Sequence, residues 1–142
     1  MKKKVTLLSL FVLFSLPIFA QNIFTAAKTN DISGIQFLLA NGSHVNARDA
    51  KGETPLIVAV QNGQLRAAKL LLELDADINM QDKAGNTALI VAVNSGNTEL
   101  VKALLARGAD AKITDKSKKN AIDYAKASNM ADILNLLNNN NI

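Results

Sequence analysis

The sequence contains neither cysteine nor tryptophan, and its 142 residues include one tyrosine, one histidine and two prolines. The absence of cysteine excludes disulfides, thiolate nucleophiles, thiolate metal ligands and lipid attached through cysteine. Because His44 is the only histidine, a metal site built on a histidine pair is excluded. The sequence also gives no sign of a serine, this histidine and an acidic residue placed on separate elements as a catalytic triad requires. We therefore expect no enzymatic activity, no cofactor and no metal ion.

A pronounced net charge is also absent once the first residues are set aside. The chain has 16 basic and 12 acidic residues, a formal net charge of +4. Three of the basic residues are Lys2, Lys3 and Lys4, and the remaining 13 leave a net charge of about +1. Proteins that bind nucleic acid through its phosphates concentrate positive charge on one surface. We therefore expect no nucleic-acid partner.

The N-terminus carries the longest apolar run. A basic start, residues 1–4, precedes about 16 almost wholly apolar residues, 5–20. This pattern is typical of a secretory signal peptide cut between Ala20 and Gln21, and the run is shorter than the roughly 20 residues of a spanning helix. We expect residues 1–20 to be removed and the protein to be periplasmic or secreted. In the alternative, the segment stays as a membrane anchor, which is the only membrane contact we expect. The short lysine-rich leader favours a bacterial source.

One phrase occurs twice in the chain, at an offset of 33 residues. Residues 52–63 read GETPLIVAVQNG, and residues 85–96 read GNTALIVAVNSG. The flanking residues recur with the same offset: Asp49, Asp82 and Asp115; Leu71 and Leu104; Leu72 and Leu105. A fixed period of this length indicates a fold of stacked repeats.

These repeats resemble ankyrin repeats. The residues that carry the resemblance are Asp49, Gly52, Thr54, Pro55, Leu56, Ala59, Gly63, Leu71, Leu72, Ala76, Asp77 and Asn79 in one unit, and Asp82, Gly85, Thr87, Leu89, Ala92, Gly96, Val101, Leu104, Leu105, Gly108, Ala109 and Asp110 in the next. The family's histidine after Thr-Pro-Leu is missing, since Ile57 and Ile90 stand there. The hydrogen bonds that it would make around the threonine must therefore be absent or replaced by packing. The resemblance implies an all-α solenoid of helix-turn-helix units with projecting hairpin loops.

The repeat count divides residues 21–138 into about four units, 21–48, 49–81, 82–114 and 115–138, and leaves 139–142 as a frayed polar tail. The first unit begins directly with a helix, because Gln21 falls where Thr54 and Thr87 fall. The fourth is degraded, with Lys118 and Asn129 in place of the two glycines. End units are expected to be atypical because one of their faces meets water.

Within the complete units, local signals place the helices. Thr54 and Thr87 are suited to cap the first helix of each pair, and Pro55 suits the first helical position. Leu71 and Leu104 fall on the apolar face of the second helices and should be core.

Three further motifs have ordinary explanations. Asp75, Asp77 and Asn79 have the spacing of a calcium loop, but Met80 and Asn86 replace its glycine and its bidentate glutamate. Asn41 begins an Asn-Gly-Ser sequon that also suits a helix-ending turn. A cluster of lysines is interleaved with acidic residues, which favours a solvated hairpin over a site for anions: Lys112, Lys116, Lys118 and Lys119.

The resemblance implies a function in binding proteins, because partners of this fold usually dock on the concave face, formed by hairpin tips and first helices. By the repeat count, that face comprises Arg48, Lys51, Glu53, Gln61, Asn62, Gln81, Lys83, Asn86, Asn94, Ser95, Thr114, Lys116 and Lys119. We expect an exported, monomeric, non-enzymatic interaction module whose partner is another protein. The alternative is a secreted effector, or a toxin-neutralising or protector protein, that acts on a host or envelope protein.

Overall fold

The structure, a computed structural model, describes residues 21–140. Within that range the chain forms eight α-helices and no strand, which confirms the predicted all-α class. The predicted signal peptide, residues 1–20, lies outside the described residues, as does the end of the predicted tail, residues 141–142.

The helices form four successive pairs, one for each predicted unit. Their bounds are α1 Ile23–Lys28, α2 Ile32–Ala40, α3 Pro55–Gln61, α4 Leu65–Glu73, α5 Ala88–Asn94, α6 Thr98–Ala106, α7 Ala121–Ala127 and α8 Ala131–Asn139. The last helix runs through Asn139, so the first residue of the predicted frayed tail is helical, and Asn140 caps the helix end.

A polar side chain caps the start of each first helix. Thr54 Oγ1 accepts a hydrogen bond from the N–H of Ile57, with Pro55 at the first helical position, as predicted. Asn120 caps α7 in the degraded fourth unit, where its side chain and that of Asp123 bond reciprocally to backbone N–H groups. The side chains of Thr54, Asn120 and Asp123 thus accept hydrogen bonds from backbone N–H groups that have no partner within the helix.

The turn between the two helices of a pair requires a residue in the left-handed region. Gly63 has φ +70° and Gly96 has φ +65°, which glycine adopts at little cost. In the end units the same place is held by Asn30, with φ +59°, and by Asn129, with φ +53°. Asparagine tolerates this conformation better than most residues, so the degraded unit keeps its turn without a glycine.

Neighbouring units pack first helix on first helix and second helix on second helix. Alanine occupies the same place in all four first helices and is fully buried each time: Ala26, Ala59, Ala92 and Ala125. Leu71 and Leu104 are fully buried in α4 and α6, which confirms their predicted place in the core. Because a small side chain lets two helices approach closely, the alanine row sets the spacing of the first helices.

The isoleucines that stand in place of the family's histidine are also core residues. Ile57 and Ile90 are each 1% exposed, so apolar packing occupies this position, as predicted.

In the part of the chain that the structure describes, none of the helices has the length and apolar character needed to cross a bilayer.

Candidate functional site

An aspartate organises each hairpin loop. Asp49 Oδ1 accepts hydrogen bonds from the backbone N–H groups of Lys51, at 2.8 Å, and Glu53, at 2.9 Å. Asp82 and Asp115 accept the corresponding pairs of bonds in the next two loops. These hydrogen bonds fix where the residues of each loop tip lie.

The loops are joined to each other by hydrogen bonds between residues one period apart. Arg48 Nη1 donates to the carbonyl oxygen of Gly52, at 3.1 Å, and to that of Gln81, at 2.7 Å. Gln81 Nε2 repeats the pattern, donating to Gly85 at 2.8 Å and to Thr114 at 2.9 Å. Arg48 and Gln81, both predicted to contact a partner, therefore already use donors inside the stack.

Lysines add further connections between the loops. Lys83 donates from its backbone N–H to the carbonyl oxygen of Lys51, at 3.0 Å, and from Nζ to that of Ala50, at 2.7 Å. The backbone N–H of Lys116 donates to the carbonyl oxygen of Ala84, at 3.0 Å. The loop tips thus form one hydrogen-bonded edge along the stack.

Most residues predicted for the concave face are exposed: Arg48, Lys51, Gln61, Asn62, Lys83, Asn94, Ser95, Thr114, Lys116 and Lys119. Gln81 and Asn86 are half-buried. The prediction that Glu53 is an exposed tip residue is wrong, because only 8% of its surface is exposed. Its backbone N–H is bonded to the Asp49 carboxylate, which holds the residue inside the turn at the start of α3.

A groove of about 470 Å³ lies where the first two units meet. Its lining comes from α1, the first hairpin loop and α3: Asn22, Phe24, Thr25, Lys28, Asp49, Lys51, Glu53, Val58, Gln61 and Asn62. Four of these had been predicted from the sequence for the concave face, namely Lys51, Glu53, Gln61 and Asn62. The others were missed, although the repeat count alone places Lys28 one period before Gln61.

The groove contains two neighbouring carboxyl groups with opposite pKa shifts. Burial raises the pKa of Glu53, and its hydrogen bond with the Asp49 carboxyl and the negative charge of Asp49 raise it further. Burial also acts to raise the pKa of Asp49, but hydrogen bonds from the backbone and side chain of Glu53 and from the Lys51 N–H outweigh this and lower it. Asp49 is therefore the more acidic of the two, and we refer to Asp49 and Glu53 as the acid pair.

The last hairpin loop lacks such a pair. There the Tyr124 hydroxyl donates to Asp115 Oδ2, and Lys119 Nζ lies 5.7 Å from the centre of the tyrosine ring. The hydrogen bond from Tyr124 lowers the pKa of Asp115 and raises the pKa of the Tyr124 hydroxyl. The carboxylate that closes this loop is thus satisfied within its own unit.

The residues with the spacing of a calcium loop form hydrogen bonds within the stack. Asp77 Oδ1 accepts a hydrogen bond from the N–H of Asn79, and Asn79 Oδ1 accepts one from the N–H of Asp110 in the next unit. His44 is exposed in the first loop. Among residues 21–140, no three acidic or histidine side chains cluster closely enough to hold a metal ion.

Comparison with known protein families agrees with this geometry. A model of ankyrin repeats in three copies matches residues 21–82, and a second model, of ankyrin repeats in many copies, matches residues 71–125. Together they span roughly three quarters of the chain, including all of the groove. A comparison with curated proteins found no match. Ankyrin repeats are generally protein–protein interaction modules. The chain belongs to the ankyrin-repeat family.

Proposed function

We propose that the protein is a non-enzymatic module that binds one partner protein through the concave face of its stack. The support comes from exposed side chains on that face that form no hydrogen bond with the described residues. Gln61 and Asn94, one period apart on α3 and α5, are exposed, and no described residue bonds to either side chain. Such a row of free amides beside a rigid loop edge can hydrogen-bond a partner without reorganising the stack.

The observation that carries this proposal is the groove. A first helix, a hairpin tip and the next first helix line it together. Its mixed lining, apolar from Phe24 and Val58 and polar from the amides of Gln61 and Asn62, suits an irregular protein surface. The outer groove between α4 and α6 has a different lining, with the exposed ion pairs Arg107–Glu73 and Lys102–Glu99 at its rim.

We also propose that the protein is a monomer and that it binds its partner outside the cytoplasm, after removal of residues 1–20. The support is the basic and apolar leader in the sequence. N-terminal sequencing and cell fractionation test this: a mature protein that begins at Gln21 in the periplasm or medium supports export, whereas intact protein in the cytoplasm contradicts it. Recovery from the medium favours the alternative of a secreted effector over a periplasmic protector protein.

The experiment for the binding face compares two double variants of residues 21–142. Gln61→Arg with Asn94→Arg adds bulk and charge to the concave face, and Lys69→Ala with Lys102→Ala changes the same number of exposed residues on the outer helices. Partner protein is isolated from extracts of the source cells with unaltered bait and then titrated with each purified variant. Loss of affinity in the concave variant alone supports the proposal, and loss in the outer variant alone contradicts it.

A further inference from the structure

The first unit holds the side chain of Gln21 in place at the start of α2. Gln21 Nε2 donates a hydrogen bond to Asp31 Oδ2, and Asp31 Oδ1 accepts one from the N–H of Gly34, at 2.8 Å. One carboxylate therefore caps α2 and also anchors the side chain of a residue ten positions earlier. We refer to Gln21, Asp31 and Gly34 as the terminal latch.

A glycine within the first turn of α2 makes room for this hydrogen bond. A Cβ added to Gly34 would lie 2.7 Å from Gln21 Nε2 and would also overlap the Asp31 carboxylate. Glycine is a poorer helix former than alanine, so the first unit accepts a weaker helix at the place where the Gln21 amide packs. In the other units the same position, counted by the repeat period, holds a buried side chain: Ala67, Leu100 and Ile133.

Gln21 is also the residue that removal of residues 1–20 would leave at the N-terminus. A glutamine with a free α-amino group can cyclise, because that nitrogen can attack the side-chain carbonyl carbon, Cδ. The bond from the α-nitrogen to Cδ forms, the bond from Cδ to Nε2 breaks, and a proton of the amine leaves with Nε2 as ammonia. The product is pyroglutamate, an uncharged lactam, and the step needs no oxidant, reductant or further reactant.

We infer that Gln21 is a cyclisation site of the mature protein and that Asp31 and Gly34 keep it open. The nitrogen that leaves as ammonia is the one that Asp31 holds, so the Gln21–Asp31 hydrogen bond must break before the ring closes. A hydrogen bond to a charged group is strong enough to slow closure about tenfold. The inference rests on the proposed export, since only removal of residues 1–20 frees the α-amino group.

The state of Gln21 sets the charge beside the groove. Asn22, the next residue, lines the groove, and its side chain caps α1 by accepting a hydrogen bond from the N–H of Thr25. An α-amino group has a pKa of about 7.7–8.0 and is mostly protonated at pH 7. An open Gln21 therefore places a positive charge next to the groove, and a cyclised Gln21 places none there.

The first test uses unaltered protein purified from cells that make the full chain. The protein is held at about pH 8, where much of the amine is unprotonated, and intact mass follows the loss of ammonia. The folded protein should cyclise about tenfold more slowly than the same protein in urea, where the terminal latch is open. Equal rates, or no loss of ammonia in urea, would overturn the inference.

The second test opens the terminal latch within the folded protein. Asp31→Ser keeps a cap for α2 but has a single side-chain oxygen, which the helix N–H uses. Gly34→Ala favours the helix but displaces the Gln21 amide. Both variants should cyclise about tenfold faster than the unaltered protein, and unchanged rates in both would overturn the inference.

Asn97→Ser is the matched control for Asp31→Ser. Asn97 caps α6 in the third unit as Asp31 caps α2 in the first, by accepting a hydrogen bond from the N–H of Leu100. Cyclisation in Asn97→Ser should proceed at the unaltered rate. An equal acceleration in Asn97→Ser and Asp31→Ser would assign the effect to general loss of stability and overturn the inference.

The same masses separate this inference from the proposed export. Protein that keeps residues 1–20 contradicts export and leaves Gln21 without a free α-amino group, so both proposals are then wrong. Protein that begins at Gln21 but cyclises equally fast with and without Asp31 supports export and shows that the terminal latch has no effect. Protein that begins at Gln21 and cyclises faster in both latch variants supports both proposals.

Discussion

Arg48 donates a 2.7 Å hydrogen bond to the carbonyl oxygen of Gln81, the residue that holds the same place one unit later. Gln81 in turn donates to Thr114, again 33 residues on. Three positions predicted to contact a partner are thus joined to each other. The loop edge is a structural feature of the stack as well as a surface that a partner can contact.

Replacing Arg48 should therefore weaken the stack. Arg48→Ala removes the two hydrogen bonds that Nη1 donates to the carbonyl oxygens of Gly52 and Gln81. The free energy of unfolding should fall by only about 1 kcal/mol, because water can partly replace the lost donor at both carbonyl oxygens. Urea denaturation of Arg48→Ala and Arg66→Ala checks this, since Arg66 is exposed on α4 without a hydrogen bond to any described residue. Equal stability of the two variants would show that the bonds contribute nothing.

Close packing between loops should make Gly85 harder to replace than Gly108. Both have left-handed backbones, φ +84° and φ +83°, but a Cβ on Gly85 would lie 2.8 Å from Lys116 N, whereas one on Gly108 meets nothing within 4 Å. Gly108→Ala should cost about 1–2 kcal/mol, the expense of the backbone conformation alone. Gly85→Ala should cost a further 1–3 kcal/mol or so, because the next loop must move. Thermal unfolding of both variants measures the difference, and equal costs would contradict it.

The buried leucines of the second helices should dominate stability. Leu71→Ala or Leu104→Ala leaves a cavity in the core and should cost about 2–5 kcal/mol. Leu74→Ala is the matched control, because Leu74 is 40% exposed at the end of α4. Chemical denaturation should find the control close to the unaltered protein; a similar loss in all three variants would disprove the predicted division between core and surface.

The Asp115–Tyr124 hydrogen bond should make stability depend on pH. Because the pKa of Asp115 is lowered in the folded protein, its contribution is present above its ordinary value of 3.8 and is lost as the pH falls through the folded value. Tyr124→Phe should therefore destabilise the protein at pH 7 and have a smaller effect at pH 2–3. Thermal unfolding across this range measures the difference, and a pH-independent effect would assign the loss to packing.

Glu53→Gln should stabilise the isolated protein at neutral pH. Since the pKa of Glu53 is raised in the folded state, ionising it favours unfolding as the pH rises from its ordinary value of 4.5 through the folded value. Glutamine removes this penalty and brings a donor for Asp49, as Asn86 does for Asp82. The gain should appear at pH 7 and shrink below about pH 4. Unfolding curves of Glu53→Gln and the unaltered protein at the two pH values measure this gain. A loss of stability at pH 7 would contradict the proposed effect of ionising Glu53.

The sequence was sufficient to predict the all-α class and the stacked helix-turn-helix fold, because both depend on local signals repeated at a fixed offset. The burial of Glu53 was not predicted, because its equivalents Asn86 and Lys119 are polar tip residues and the groove forms only when α1 packs beside α3. The bonds of Arg48 and Gln81 also depend on stacking, although their 33-residue offset was visible in the sequence.

Site-specific photocrosslinking tests the central claim, that the concave face binds a partner protein. A benzophenone amino acid is placed at Gln61 or Asn94 on the concave face and, for comparison, at Lys69 or Lys102 on the outer helices, in the cells that make the protein. Both concave positions should crosslink to the same protein, and the outer positions should not. Crosslinking to that protein from the outer positions alone would contradict it.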